Sequence, residues 1–253
     1  MTTLQPPTIP RITHRTAAEV ATAAYDQLLD LLDRLEPHHW SAPTDCTGWD
    51  VAAIAGHLIG AGKGNASLLE GVRQQVRGVR HASAFDGNAL DAVNGRQVAD
   101  HADLTPAERV AALRAVAPRA VRGRTRLPRP VRAIRIPLGL DSGSALPGTQ
   151  RSMSLGQLME VVYTRDIWLH TVDIERATGV PADRGGDVDR RIIADAVADW
   201  LGLHRQPVYL HLTGPAGGAY TQGEGGPRIT VDAIEWARTV SGRERGEGLL
   251  AQP

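Results

Sequence analysis

Residues 154–179 read SLGQLMEVVYTRDIWLHTVDIERATG, and this stretch decides how the chain is expected to fold. Apolar residues recur at spacings of three and four, which predicts an amphipathic helix that ends near Gly179 and Pro181. Asp166 and His170 lie four residues apart, so they share one face of that helix. An acid and an imidazole on an apolar helix need partners. They either pair with each other or together bind a metal ion between helices.

The segments around this helix extend the helical pattern in both directions. Apolar spacing predicts further helices over residues 16–35, 51–76, 105–121 and 187–204, with a shorter one near residues 88–98. An Arg-, Pro- and Gly-rich stretch over residues 122–148 predicts a loop. The fold predicted from residue 1 to about residue 205 is therefore a helical bundle.

The apolar period changes behind residue 205. Residues 207–215 alternate as a strand does, GGAYTQG and PRITVD look like further short strands, and residues 233–243 look like a short helix. We therefore expect a mainly α chain with two domains: a helical bundle over residues 1–205 and a small α/β domain over residues 206–253.

Two helix starts are marked by possible capping boxes. Thr47 precedes Asp50 by three residues, and Thr105 precedes Pro106 and then Glu108 in the same way. A hydroxyl at the first site and a carboxylate three residues later can satisfy free backbone N–H groups at a helix start. We expect helices to begin just behind both threonines.

Composition excludes several classes of function. Lys+Arg and Asp+Glu both number 28 in a chain of 253 residues, so the bulk charge of a general nucleic-acid binder is missing. No apolar run reaches the length of a membrane span, and the first residues lack a signal-peptide core. Cys46 is the only cysteine, which suits a reducing compartment. We expect a cytoplasmic protein that binds neither nucleic acid nor membranes.

One local charge bias remains within this balance. Seven of the basic residues fall within residues 119–135, and all seven are arginines. Without interleaved aromatic residues, the expected explanation is a solvated stretch and not an anion or nucleic-acid site.

The strongest candidate for chemistry combines His57 with Asp166 and His170. His57 lies on the apolar stripe of the second predicted helix, so a bundle could bring it to the acid–imidazole pair. Two imidazoles and one carboxylate leave coordination positions open on a divalent metal, as in catalytic zinc or iron sites. Two alternatives stay open from pattern alone: His57 is a hydrogen-bonded core histidine, and the pair is a local charge interaction.

Asp173 and Cys46 can each be explained either by a function at this site or by ordinary packing and solvation. Asp173 either orients the His170 imidazole or is a solvated acid. Cys46 either is a thiol activated near a helix start or is a small packed residue, and the second explanation is favoured because no base is evident nearby.

Three motifs, in this order, resemble one family. CTGWDVAAIAGHL (residues 46–58) resembles the signature that opens the second helix of DinB-like proteins, and TRDIWLHTVDIERATG (residues 164–179) resembles their later acid-x-x-x-His motif. LTGPAGGAYTQGEGGPRITVDAIEWARTVSGR (residues 212–243) is similar to the sterol-carrier-like C-terminal domain of mycothiol-dependent maleylpyruvate isomerases. The resemblance spans nearly the whole chain.

The resemblance implies a specific fold and site. The fold would be a DinB-like up-down four-helix bundle followed by a sterol-carrier-like α/β domain. A zinc ion, or another divalent metal, would be held by His57, Asp166 and His170, although Asp166 stands where the family pattern has glutamate. Arg243 of the C-terminal domain would bind near the substrate carboxylates, with Arg238 as second choice.

The resemblance also implies a reaction class. Mycothiol would be the cosubstrate, and the chain would be an isomerase or S-transferase acting on a small electrophilic or unsaturated acid. Its partners would be this low-molecular-weight thiol and a small molecule, and we expect a monomer or weak homodimer. The alternative is a non-catalytic protein that binds a small molecule or lipid, with a structural metal or none.

Overall fold

The computed structural model describes residues 3–6, 8–137 and 152–251, and it is mainly helical with a small sheet. The mainly α prediction is therefore confirmed. The helices are α1 (Ala17–Leu32), α2 (Val51–Ala66), α3 (Leu68–His81), α4 (Ala89–Ala99), α5 (Pro106–Thr125), α6 (Arg129–Arg132), α7 (Leu155–Gln157), α8 (Tyr163–Thr178), α9 (Asp187–His204) and α10 (Ala233–Val240). The strands are β1 (Thr3–Leu4), β2 (Arg135–Pro137), β3 (Ser152–Ser154), β4 (Val208–Thr213), β5 (Gly218–Gln222) and β6 (Arg228–Asp232).

The capping prediction is right for α5 and wrong for α2. The Thr105 hydroxyl accepts from the Glu108 N–H at 3.4 Å, and the Glu108 carboxylate accepts from the Thr105 N–H at 2.8 Å. At α2 the cap is Asp50 itself, whose carboxylate accepts from the Ala53 N–H at 2.7 Å. Because Asp50 occupies the cap position, Thr47 lies outside the helix.

The single helix predicted over residues 51–76 is in fact two helices. The chain leaves helical geometry at Ser67, where φ is −141°, and the Ser67 hydroxyl caps α3 by accepting from the Glu70 N–H at 3.4 Å. Glycines weaken the end of α2, and serine competes for backbone hydrogen bonds, so a break costs little here.

The helix predicted over residues 154–178 is present but contains one wider turn. α7 continues into a π-helical turn, Leu158–Val162, which continues into α8. Glu160 lies in this turn, and its buried carboxylate pairs with Arg132, whose Nε lies 2.7 Å from Oε1. Such turns hold one extra residue and are frequent at functional sites.

One compact unit comprises residues Ala21–Ile134 and Ser154–Ala182. α2 and α5 pack side by side and run in the same direction, because Gly56 lies near Arg109 and Gly62 lies near Val116. The chain crosses between them through α3 and α4 and not through a short turn. The core of this unit is formed by buried apolar side chains of its main helices: Tyr25, Leu28, Leu31, Leu32, Ile54, Ala55, Leu58, Ile59, Leu113, Ala120, Ile167, Trp168 and Val172.

The second compact unit comprises the described residues of Met1–Val20, Arg135–Met153 and Asp183–Pro253. Its four-stranded sheet has the order β1-β5-β4-β6, with β4 antiparallel to β5 and parallel to β6. β4 buries alternate residues, and α10 contributes the fully buried Trp236, whose ring lies 5.9 Å from that of Trp200 on α9. The three strands and the helix expected behind residue 205 are thus present.

The sheet has an edge that the sequence does not signal. β1 pairs in parallel with β5, with Thr3 opposite Ala219. A two-residue strand carries no alternation, so its pairing is not visible in the pattern. The division into domains at residue 205 stays a prediction about parts that fold independently.

The arginine-rich stretch is only partly as expected. α5 extends to Thr125 and therefore includes Arg122 and Arg124, and Arg124 is buried with 1% of its surface exposed. The expectation of a solvated stretch is wrong for this residue. The part of the predicted loop over residues 138–148 lies outside the described residues.

No helix in the described part of the chain is long and apolar enough to cross a membrane.

Candidate metal centre

Two helices bring together the three predicted ligands. His57 lies in the middle of α2, and Asp166 and His170 lie one turn apart on α8. The Nε2 atom of His57 lies 3.4 Å from Asp166 Oδ2, and the Nε2 atom of His170 lies 3.5 Å from Asp166 Oδ1. One ligand atom from each residue lies within 4.8 Å of the other two. Sequence spacing predicted the pair, and the fold adds the third residue.

The spacing of these atoms suits a shared cation better than direct hydrogen bonds. Charge-assisted hydrogen bonds between nitrogen and a carboxylate are typically about 2.7–2.9 Å long. Zinc bonds of about 2.0–2.1 Å in tetrahedral geometry place neighbouring ligand atoms roughly 3.3 Å apart. The observed 3.4 and 3.5 Å run to different oxygens of Asp166, and both are longer than such hydrogen bonds and near the second value. The donor set of two imidazoles and one carboxylate fits a divalent metal with an open position.

The opposite nitrogen of His170 makes a true hydrogen bond. Nδ1 lies 2.9 Å from Oδ2 of Asp173, which is fully buried. Nδ1–H donates to this carboxylate and thereby directs Nε2 towards Asp166 and His57. Of the two explanations for Asp173, the structure thus supports the orienting acceptor and not the solvated acid.

Cys46 shares the same acceptor. Its Sγ lies 3.3 Å from Asp173 Oδ2 and 3.9 Å from His170 Nδ1, and the residue is half-buried. Cys46, His170 and Asp173 also lie close enough to hold a metal. However, the 2.9 Å distance between His170 and Asp173 is that of a hydrogen bond, so these groups already satisfy one another.

The two histidines differ in their surroundings. Burial lowers the pKa of His170, but Asp166, Asp173 and Cys46 outweigh it and raise that pKa to about 10. Without a metal, His170 is therefore an imidazolium at neutral pH. The Nδ1 atom of His57 is buried with no hydrogen-bond partner among the described residues. Its Nε2 faces Asp166, so the nitrogen that the cluster needs is correctly placed.

The Trp49 ring packs beside both histidines of the cluster, and the sequence analysis assigned it no function. Its ring centroid lies 5.1 Å from that of His57 and 6.2 Å from that of His170. Trp49 directly precedes the α2 cap, so the same turn that starts the helix also places this ring. The only sequence signal was the tryptophan within the resembling motif, which had no role assigned to it.

A buried cation lies near the same acid. Arg124 of α5 is 1% exposed, and its Cζ lies 5.9 Å from the ring centroid of Tyr25. Burial lowers the pKa of Arg124, while Tyr25, Tyr163 and Asp166 raise it. Burial raises the pKa of Tyr25 and of Tyr163, and Asp166 adds to both shifts. Arg124, the two tyrosines and Asp166 thus form an electrostatically coupled group.

Arg243 belongs to the sheet-containing unit, whereas the His57, Asp166 and His170 cluster belongs to the helical unit. It lies behind α10 in the sheet-containing unit, where its Nη1 donates to Ser241 Oγ at 3.4 Å. Arg238, the second choice, is buried and pairs with Glu235 at 2.6 Å. Binding of a substrate carboxylate by Arg243 stays a prediction.

A separate cleft of about 150 Å³ lies between α2, α3 and α4. Its charged side chains already bond one another: Glu70 accepts from Arg73 at 2.7 Å, and Lys63 Nζ lies 2.7 Å from His101 Nε2. These four charged or titratable side chains therefore bond one another within the cleft.

Comparison with known proteins agrees with this architecture. The family model described as the mycothiol maleylpyruvate isomerase N-terminal domain matches residues 21–175, more than half of the chain. The chain therefore belongs to the mycothiol maleylpyruvate isomerase N-terminal domain family.

Solved structures extend the similarity of fold to both units. A crystal structure of the mycothiol-dependent maleylpyruvate isomerase aligns with a TM-score of 0.57 at 14% identity, covering 96% of this chain and 93% of the other. The structure of a mutant with one histidine replaced by alanine aligns with a TM-score of 0.54 at 16% identity and the same coverage. No curated protein sequence matches the chain. At these identities the alignments establish the fold alone.

Proposed function

We propose that the protein is a metal-dependent, mycothiol-dependent isomerase or S-transferase that acts on a small electrophilic or unsaturated acid. The observation that carries the proposal is the convergence of His57, Asp166 and His170 within 4.8 Å. Membership of the mycothiol maleylpyruvate isomerase family supports the choice of thiol. The metal is zinc or another divalent ion, and the protein works in the cytoplasm, where such a thiol is kept reduced.

The chain's own residues would prepare the site in three ways. His57 and His170 offer Nε2 atoms and Asp166 offers a carboxylate, which together leave coordination positions open. When bound, the metal would supply the positive charge that favours a thiolate over a thiol. Asp173 holds the His170 ring in place, and the 27% exposure of the Asp166 side chain leaves the cluster accessible from one side.

The direct test is the metal content of purified protein and of two matched histidine variants. His57→Ala removes a proposed ligand, whereas His101→Ala removes a histidine that is similarly buried, 7% exposed against 6%, but bonded to Lys63. We expect about one divalent metal per chain in the wild type and in His101→Ala, and much less in His57→Ala. Equal metal content in both variants would contradict the proposed ligand set.

A second test separates an enzyme from a binding protein. Metal-loaded protein should be stabilised against heat by mycothiol, and should isomerise or thiolate an unsaturated dicarboxylic acid only when the thiol is present. The alternative function, a non-catalytic binding protein, predicts stabilisation by apolar ligands with no turnover and no dependence on the thiol. Turnover that is lost in His57→Ala and kept in His101→Ala would exclude that alternative.

A further inference from the structure

The two histidines of the cluster are held in different ways. His170 has the usual arrangement of a metal-binding histidine, because its second nitrogen, Nδ1, donates to Asp173 Oδ2 at 2.9 Å. The Nδ1 atom of His57 is buried and has no hydrogen-bond partner within the ranges that the structure describes. A different contact must therefore fix the direction of the His57 ring if this residue is to bind a metal.

The position of His57 on its helix does not fix the direction of its ring. Rotation about the Cβ–Cγ bond of histidine has a broad energy profile, so α2 determines where the imidazole lies but not which edge faces Asp166. The 3.4 Å between His57 Nε2 and Asp166 Oδ2 exceeds the length of a charge-assisted hydrogen bond, about 2.7–2.9 Å. This contact therefore does not hold the ring by itself.

Two other rings flank the imidazole of His57. The ring centroid of His170 lies 5.2 Å away in an edge-on arrangement, and that of Trp49 lies 5.1 Å away with the planes tilted by 44°. His170 is itself a proposed ligand, so its own ring needs to be aligned. Trp49 offers no metal ligand, and its ring also lies 6.2 Å from that of His170. It is therefore the flanking residue that can act as a support.

The backbone of Trp49 is fixed by its own turn. Its carbonyl oxygen accepts from the Thr44 N–H at 3.0 Å and from the Thr44 hydroxyl at 2.8 Å, and its N–H donates to the Cys46 carbonyl at 2.9 Å. Gly48, directly before it, has a φ of +79°, in the left-handed region that favours glycine. Asp50, directly after it, caps α2. The indole ring thus extends from a backbone that is bonded on both sides.

We propose that Trp49 is a positioning residue for His57: its indole ring packs against the imidazole and keeps Nε2 directed at the metal position. Asp173 has the same role for His170, but acts through a hydrogen bond. The inference rests on the proposed metal-binding function. A carboxylate partner also raises the basicity of an imidazole, whereas ring packing does not, so His57 is the weaker electron donor of the two histidines.

The affinity and visible spectrum of bound Co²⁺ test this role. Trp49→Leu should lower Co²⁺ affinity by about tenfold, the lower end of the loss that outer partners of a ligand cause. The visible absorption bands of bound Co²⁺ should also change, because the direction of one ligand is no longer fixed. Trp49→Phe keeps an aromatic ring and should restore both the spectrum and an affinity within about threefold of the wild type.

Gly87→Ala is a control for a general loss of stability. Gly87 lies before α4 in the same compact unit, its φ is +85°, and no atom lies within 4 Å of an added Cβ. Alanine is strained there without crowding, so the Tm should fall while Co²⁺ affinity stays unchanged. Equal losses of affinity in Gly87→Ala and Trp49→Leu would overturn the inference. Wild-type affinity in Trp49→Leu, or an equal loss in Trp49→Phe, would also overturn it.

A measurement on metal-free protein separates this inference from the proposed function. In NMR spectra of protein with labelled histidine, the His57 ring should give one set of signals in the wild type. In Trp49→Leu these signals should broaden or divide, whereas those of His170, held by Asp173, should stay single. Unchanged His57 signals would refute the inference. A wild type that shows this difference but binds no Co²⁺ would refute the proposed function and still support the contact between Trp49 and His57 as the one that fixes the ring.

Discussion

Each compact unit contains an acid cluster, and the two differ in how closely the acids approach their neighbours. In the sheet-containing unit, Asp195 accepts from the Ile12 N–H at 2.8 Å and pairs with Arg11 at 2.9 Å, and Asp199 also pairs with Arg11. In the helical unit, Asp166 faces two imidazoles at distances too long for strong hydrogen bonds. The comparison shows that an acid held at hydrogen-bonding distance serves the fold, whereas an acid that faces two imidazoles at the spacing of metal ligands marks a candidate site.

The largest expected effect concerns metal affinity in the cluster of the helical unit. The double variant His57→Ala/Asp166→Ala should lose at least about 100-fold in divalent-metal affinity, because loss of even an outer partner costs 10- to 100-fold. Isothermal titration with Zn²⁺ in competition with a chelator measures this change. A loss of less than tenfold would place the metal elsewhere.

The second expected effect is a dependence of metal binding on pH. His170 has a pKa of about 10 without metal and must lose a proton to coordinate, so apparent affinity should rise about tenfold per pH unit from pH 7 towards 10. Titrations in buffers of different ionisation enthalpy should show one proton released. Affinity that is flat over this range would contradict the assignment of His170.

The same pKa has a consequence for the metal-free protein. The folded value lies above the unfolded value of about 6.5, so the charged His170 stabilises the fold fully below about pH 6.5. This contribution is lost as the pH rises through about 10. Chemical denaturation between pH 6 and 10 should show the decline, and His170→Ala should remove it.

The third effect tests the Asp195 cluster of the sheet-containing unit. Asp195→Ala leaves the Ile12 N–H without its acceptor and should reduce the free energy of unfolding by about 1–3 kcal/mol. Metal content should not change. If this variant loses metal, or if its stability is unaffected, the contrast between the two clusters fails.

The smallest effect is expected from Asp166→Glu. The substitution keeps a carboxylate donor and adds one methylene, giving the residue that the resemblance implies at this position. We expect metal affinity to stay within about tenfold of the wild type, because the donor type is unchanged. A loss as large as that of Asp166→Ala would show that the shorter side chain is required here.

The helices could be predicted from sequence wherever apolar residues recur at spacings of three and four over several turns. α9 begins and ends where its pattern does, and α5 begins at its capping box. The shared face of Asp166 and His170 also follows from spacing alone. The approach of His57 does not, because it depends on how α2 and α8 pack; the apolar stripe of α2 and the family resemblance only made it a candidate.

Other features left no local signal in the sequence. Arg124 stands among seven arginines of the same stretch, and only the packing around α5 distinguishes it from the others. β1 is two residues long, and its pairing with β5 joins opposite ends of the chain. The break at Ser67 depends on a balance between weak helix propensity and capping. Sequence patterns report faces of single elements, whereas these features arise between elements.

The π-helical turn, Leu158–Val162, makes this helix tolerant to deletion of a single codon at one place. A π-helical turn is closed by a hydrogen bond across one more residue than an α-helical turn, so loss of one residue here would convert it to an α-helical turn with the flanking segments close to their present rotation. Loss of one residue between Asp166 and His170 would instead rotate these two side chains by about 100° against each other. An in-frame deletion in the π-helical turn should therefore harm the cluster much less than one between the two ligands.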